Sequence, residues 1–528
     1  MKFPSIIAIS IAVSLSLLAA LSFWSAPSGT RWLGGGIHNS SDVAVYLSYL
    51  KQGADGHVLV HDLYAIEPNA ARFDAVWSIL GLVARADVDP VIVHEAARAL
   101  FAMFLIGALW LAAKQQTISL RDSKLALLLT LGGVATGWLY SIWLGAKGLW
   151  TPTTYAAPDI VTEFAIGPIL MGGAHAILSL ALLVTTLRLT WNGIQERNWR
   201  FLLLGTAAGV VLLSFHPYFV PLLALVELAA LMGRRAGAPR PYAEWIRERI
   251  WLVVVSGACY VPPIAYYLWL IRDPVFGEHH LQDNILPLAP WYVWILTLLP
   301  FIVAAIWMWR TKHLPKKHDW THAWIFAAVV LLIFLPVPWK RKLTEGLAVP
   351  LVLITLPAWL AVRDWITTQQ PVWMRRLLAT LLLIAAWFGP IHLVVSHVVW
   401  ISTPKEQAYF YQPLGLFEAA RFLHNDATPM DVLLSDDRWV NTWIPALTGH
   451  TVWIGHDHET PHFAEKRDLY HAFLDETDPI EKQKLLAQIP VTYLILTTDT
   501  GRTTISPILG PEWTRVFAGG NVDVWKRN

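Results

Sequence analysis

Until about Thr403 the hydrophobic positions of this chain fall into long unbroken runs, not into the alternating or helix-period stripes of a soluble fold. A run of about 20 apolar residues is the length a helix needs to cross a bilayer's hydrocarbon core. Runs of that kind occupy residues 4–24, 92–113, 124–146, 166–190, 250–271, 290–309, 321–338, 347–362 and 377–399. A further run, 201–233, is too long for one crossing and carries His216-Pro217-Tyr218 and Pro221 near its middle. Proline removes an intrahelical hydrogen bond and clashes with the preceding turn, so two short membrane helices meeting at that break are expected. The pattern predicts a polytopic α-helical membrane protein with about 11 membrane segments.

Beyond Thr403 charge and turn residues recur throughout and no spanning run remains. Val432 to Leu434, Val452 to Ile454, Val491 to Leu496 and Val522 to Trp525 read as short strands, and Leu414 to His424 and Glu465 to Leu474 have helical periodicity. The alternation predicts a small α/β domain over 403–528, after a membrane domain over 1–402 that includes a first outer loop at 27–91. No internal repeat is visible.

The connectors fix an orientation. Lys114, Arg121 and Lys124, then Arg188, Arg197 and Arg200, then Arg234, Arg235, Arg240, Arg247 and Arg249 load alternate connectors with positive charge, as cytoplasmic loops are loaded. Arg310 with Lys312, Lys316 and Lys317, and Arg363 with Arg375 and Arg376, continue the series. The first segment reads as an uncleaved helix, because the best small-residue cleavage site, Trp24-Ser25-Ala26, has a bulky residue at its third position back and Pro27 behind it. The N-terminus is then cytoplasmic and the C-terminal domain extracytoplasmic, in a membrane whose charge bias fits the bacterial inner membrane. Lys340, Arg341 and Lys342 break the rule by clustering on the outer side.

Composition sharpens this. Of the residues 55% are hydrophobic and 15% charged, against roughly 25% charged in soluble domains, and the mean hydropathy is +0.46. The net charge of +2 comes from connectors and not from a basic face, which argues against nucleic acid. Many of the 29 tryptophans flank the apolar runs, as in an interfacial belt of a protein bathed in membrane lipids. The single Cys259 excludes an intrachain disulfide and a cysteine metal cluster, and its apolar setting predicts a buried packing residue.

The chemistry-bearing stretch is Ile37 to Phe73, where Asp42, Asp55, Asp62 and Glu67 crowd a polar interlude between two apolar runs. An acid just outside a membrane helix can hold a divalent metal against a phosphate or take a proton from an attacking hydroxyl. Asp42 leads, since Val43, Tyr46, Leu47 and Leu50 share one helical face, as if a helix lay on the membrane surface with Asp42 at its N-cap; the plain alternative is that Asp42 is only the cap. Asp55 and Asp62, in Gly- and His-containing turns, read as solvated. In the second outer loop Asp159 follows Pro158 and reads as a turn, whereas Glu163 lies at the mouth of a span, where a charge needs a partner or water. His175 inside that span marks either a polar cavity or a helix–helix hydrogen bond. His216 sits at the helix break, beside a helix N-terminus that favours a phosphate, or else caps a structural kink. Three outward positive charges imply a compensating anion, with Arg341 gripping two oxygens and Lys340 and Lys342 adding charge; snorkelling or pairing with Glu345 is the alternative. Gly455-His456-Asp457-His458-Glu459-Thr460 alternates histidine with carboxylate and reads as a metal loop or as a polar turn against the membrane domain; Ser435-Asp436-Asp437 reads as a turn and helix cap.

A first helix, a large outer loop with an early acid, many further spans and an outer C-terminal domain together resemble the GT-C superfamily of polyprenyl-phosphate-dependent glycosyltransferases. The phrases from Asp42 to Gly53, from Trp339 to Pro350 and from Gly455 to Thr460 resemble bacterial members of that class. The resemblance implies that Asp42 is the catalytic or metal-binding acid, with Glu67 or Glu163 as a second carboxylate and Mg²⁺ or Mn²⁺ as the metal held by Asp42 and Glu163. It implies a polyprenyl-phosphate-linked sugar as donor, a glycan, lipid or protein as acceptor, and a lipid phosphate held by Arg341, Lys340, His216 and His175. Members often carry adjacent acids in the first loop, and no such pair stands at Asp42. Rival classes are a transporter or lipid flippase and a non-catalytic envelope scaffold.

Overall fold

The computed structural model describes residues 2–35, 40–148, 164–233, 241–278, 288–313, 319–403 and 407–528. Seven of the described helices are long and apolar enough to cross a membrane: Phe3–Trp24, Pro90–Gln116, Ala174–Glu196, Tyr242–Leu270, Trp291–Arg310, Lys340–Gln369 and Val372–Ile401. The chain is a mostly helical protein with membrane-length apolar helices and a small C-terminal sheet.

The other expected segments form shorter helices. The run 124–146 is not continuous: a helix Leu120–Gly132 ends on Gly133, whose φ of +84° is the left-handed C-cap that glycine adopts without strain, and Trp138–Ala146 starts afresh. The run 166–190 is likewise cut at Gly172-Gly173 into Ile166–Met171 and Ala174–Glu196. The break at His216 is present as expected. Trp199–Leu213 and Val220–Met232 are separated by a tight 3₁₀ turn, Pro217–Phe219. Cys259 is exposed on its helix and not packed inside the chain, contrary to expectation.

Contacts divide the chain into two compact units, and not at a single cut near 402. One unit comprises Met1–Leu15, Arg98–Tyr267 and Ile285–Val398 and holds most of the apolar helices. The other joins Ser16–Ala97 and Leu268–Asn284 to Val399–Asn528, so the stretch 27–91 folds together with the C-terminal region.

In the second unit β1 (Thr30–Trp32), just after the first helix, pairs antiparallel with β2 (Tyr411–Pro413). The sheet beyond has the order β4-β3-β5-β7-β6. Here β3 (Val432–Ser435) runs parallel to β4 (Thr451–Val452) and β5 (Tyr493–Leu496), and β7 (Val522–Arg527) runs antiparallel to β5 and to β6 (Trp513–Gly519). The four strands legible in the pattern are present, and β6 was missed because Thr514 and Arg515 face outward on an edge strand. Asp437 caps the helix Arg438–Thr448 by accepting from the N–H groups of Trp439 and Val440, as its sequence position suggested.

The stretch 27–91 contributes two helices after α1 (Lys2–Trp24), α2 (Ser40–Ala54) and α3 (Ala75–Ala84). Far from lying on a membrane surface, α2 is enclosed: Val43, Ala44, Val45, Leu47, Tyr49 and Leu50 are all buried. It packs on α3 and on the helix Arg438–Thr448. The α2–α3 crossing is so close that a Cβ on Gly53 would stand 2.5 Å from the Gly81 Cα, while Tyr46 stacks on Trp77 at 4.6 Å. Gly81→Ala is therefore expected to destabilise the protein by about 1–3 kcal/mol through overpacking, seen as a lower melting temperature in detergent; an unchanged melt would contradict the contact.

Candidate functional site: Asp42 and His456

Asp42 lies in the first turn of α2, with its side chain about one-third exposed at 34%. Its Oδ1 lies 3.0 Å from Nε2 of His456, whose side chain is only 3% exposed. The histidine is held from behind. Its Nδ1 accepts the backbone N–H groups of His458 at 3.1 Å and Glu459 at 3.2 Å. A nitrogen that accepts two donors carries no proton, so the proton sits on Nε2 and is donated to Asp42.

The loop that carries His456 closes on itself. Gly455 N–H donates to Thr460 Oγ1, and Thr460 N–H donates back to the His456 carbonyl. Tyr64 packs edge-on to the imidazole at 6.0 Å, its hydroxyl anchored on the Thr442 carbonyl at 2.8 Å. A side chain at 455 would meet Tyr64 at 2.7 Å, which accounts for the glycine. Burial opposes a charged imidazole, but Asp42, Asp457 and Glu459 outweigh it and draw His456 up to about 9. The two N–H groups at Nδ1 work against that second proton, since protonation would evict both.

Behind the pair lies a buried charge cluster. Asp62 is 6% exposed and accepts the Tyr64 N–H at 2.9 Å, which corrects its reading as a solvated loop acid. Burial raises its carboxyl to about 8, with Glu459 adding to the shift while Arg72, the Tyr64 N–H and His456 oppose it. Arg72 donates to the Tyr49 hydroxyl and lies over the Tyr49 and Phe276 rings at 5.0 and 5.2 Å. Asp55 is taken up in an ion pair with Lys51 at 2.6 Å. Glu67 pairs with Lys466 at 3.1 Å.

The histidines and basic residues expected at the helix break lie in the other unit. His216 Nδ1 is 2.7 Å from Ser179 Oγ, and the His175 ring is 5.4 Å from that of His216. His216 makes no side-chain cap to the turn that follows it; it bonds a neighbouring helix instead. Residues Lys340–Thr344 form a second 3₁₀ turn packed against Pro217–Phe219, with Tyr218 and Trp339 rings 4.9 Å apart. Lys340 donates to the Leu332 carbonyl at 3.3 Å, and the Arg341 carbonyl accepts from Thr344. The structure thus gathers His175, His216 and the Lys340–Lys342 turn in one region.

Glu163 and Asp159 lie outside the described residues. Among the described residues no three His, Cys, Asp or Glu side chains converge as metal ligands. Glu163, the other carboxylate expected to hold Mg²⁺ or Mn²⁺ with Asp42, is one of the residues outside that description. His456 is the residue that sequence reasoning did not connect: its loop was conspicuous, but its partner stands 414 positions away.

The chain matches no protein-family profile and no curated protein. The geometry carries its own test. A carboxyl raised to about 8 when folded binds a proton that the unfolded chain releases near pH 4, so folding stability falls as pH rises between those values. Asp62→Asn cannot ionise. Its melting temperature relative to wild type is expected to climb from pH 5 to pH 8 (about three units inside that window), whereas a constant difference would place Asp62 in a solvated setting.

Proposed function

We propose that the chain is a membrane glycosyltransferase, moving a sugar from a polyprenyl-phosphate donor to a hydroxyl of a glycan, lipid or protein acceptor on the outer face. The reading includes about 11 membrane segments, a cytoplasmic N-terminus and an extracytoplasmic C-terminal region. The observation that carries it is Asp42 itself, a part-exposed carboxylate oriented by a buried imidazole that two backbone donors hold in place.

Such an acid suits hydroxyl activation. The acceptor O–H donates to Asp42, its oxygen attacks the anomeric carbon, and the bond from that carbon to the phosphate oxygen breaks. The leaving group departs as the polyprenyl phosphate, and the proton ends on Asp42, from which solvent removes it. One displacement inverts the anomeric centre. His456 keeps the carboxylate pointed and, through Nε2–H, holds it in the acceptor state before the hydroxyl arrives. In the membrane unit, Arg341, Lys340 and the paired histidines offer cationic and imidazole groups suited to a lipid phosphate.

A transporter reading draws on one feature. Glu227 is buried within the apolar helices, its Oε1 accepting from Ser256 at 2.8 Å and Tyr260 at 3.0 Å, and an acid at such a place suits ion-coupled transport. Movement of a lipid-linked sugar across vesicles with its linkage intact would favour that alternative.

Purified protein given a panel of polyprenyl-phosphate sugars is expected to release free lipid phosphate, detected by mass spectrometry. Asp42→Asn should abolish release while the melt stays near wild type, and full turnover by that variant would remove Asp42 from the chemistry. His456→Gln should lower kcat by about 10- to 100-fold with KM little changed, the pattern of a lost orienting group. Arg341→Gln should instead act mainly on KM for the lipid donor.

A further inference from the structure

The helix α3 is apolar on every side, AVWSILGLVA, yet only one face is packed. Val76, Trp77, Gly81 and Ala84 are buried, whereas Ile79, Leu82 and Val83 are 59%, 50% and 50% exposed. Those three positions stand at i, i+3 and i+4, one stripe of a helix. The stripe continues beyond the helix. Val60 and Arg72 form an antiparallel bridge, which sets Leu59 beside Phe73, and both of these are exposed as well. Contiguous exposed apolar surface of this kind calls for a partner.

Three observations identify that partner as lipid. The helix has ten residues, a length of about 15 Å, half the hydrocarbon core of a bilayer, so it cannot cross. Exposed Arg85 and Asp87 follow its last turn, and Asp74 caps its first, which favours lying flat over plunging in by one end. Only Arg85 to Asp89 separate α3 from Pro90–Gln116, a helix of spanning length. That tether is at most about 20 Å of chain, which holds the exposed stripe close to the point where a spanning helix leaves the membrane.

We propose that α3 is an interfacial helix whose Ile79, Leu82 and Val83 face enters the outer leaflet of the membrane in which the chain is embedded. Because Gly53 meets Gly81 backbone to backbone, α2 rides on the other side of α3. Asp42 is thereby held at a fixed height above the lipid, about one helix-packing distance of 8–10 Å or less. The helix that meets the lipid is thus not the one carrying Asp42, but the one beneath it. The inference stands independently of sugar transfer.

The test uses full-length protein with Cys259→Ser, reconstituted in vesicles of phosphatidylethanolamine and phosphatidylglycerol, with a nitroxide placed in turn through Ile79→Cys, Leu82→Cys and Val83→Cys. Asp87→Cys, exposed just past the helix, is the aqueous control. Collision with dissolved oxygen, which concentrates in hydrocarbon, is expected to exceed collision with a water-soluble nickel chelate by a ratio several-fold above the control. Ratios equal to that of Asp87 would overturn the proposal, as would dipolar broadening between labels, which would mean that a second copy covers the face. Wild-type protein gives a second measurement free of substitutions: a phospholipid with a photoactivatable acyl chain should label the peptide containing Ile79 to Val83, and an unlabelled peptide would overturn the proposal too. Both readouts are expected to be the same in Asp42→Asn, so loss of transfer and loss of lipid contact are separable.

Discussion

The backbone contact between Gly53 and Gly81 is the constraint on which the unit containing Asp42 depends. Two helices can approach this closely only where neither presents a side chain, and Tyr46 stacks on Trp77 beside the contact. With α3 on one side and Arg438–Thr448 on the other, α2 becomes a core element of a unit assembled from distant parts of the chain. The position of Asp42 follows from that rigid placement and not from a flexible loop.

Around this core the charges are arranged at unequal depth. Asp42 keeps contact with solvent, His456 is enclosed, and Asp62 lies beside Arg72 and Glu459 where an ionised carboxylate is disfavoured. Burial therefore acts far more strongly on Asp62 than on the part-exposed Asp42. Two further acids are paired with lysines. Glu67 and Asp55 spend their charge on Lys466 and Lys51.

The sequence made the membrane helices and the C-terminal strands legible because both rest on local periodicity and run length. It was less informative where tertiary packing decides. Val43, Leu47 and Leu50 had the pattern of an interfacial helix, but that pattern is equally what a helix buried on two sides requires, and only the exposure of Ile79, Leu82 and Val83 tells which helix faces outward. Glycine pairs break the expected runs 124–146 and 166–190, where hydropathy alone ran on, although Ala174–Glu196 keeps a spanning length. Of the candidate site, Asp42 and the His456 loop were both conspicuous, but nothing local joins them. The exposed Cys259 was misjudged because an apolar sequence context looks the same whether its neighbours are protein or lipid.

The short ribbon of β1 and β2 has a consequence for biosynthesis. Thr30–Trp32 emerges early and Tyr411–Pro413 late, so the ribbon closes an excursion that includes most of the membrane helices. His456 is made later still. The nascent chain therefore carries Asp42 through insertion without its imidazole partner, and the pair can form only after the last apolar helix has left the ribosome. A chain truncated anywhere before β2 would lack both the ribbon and the Asp42–His456 pair.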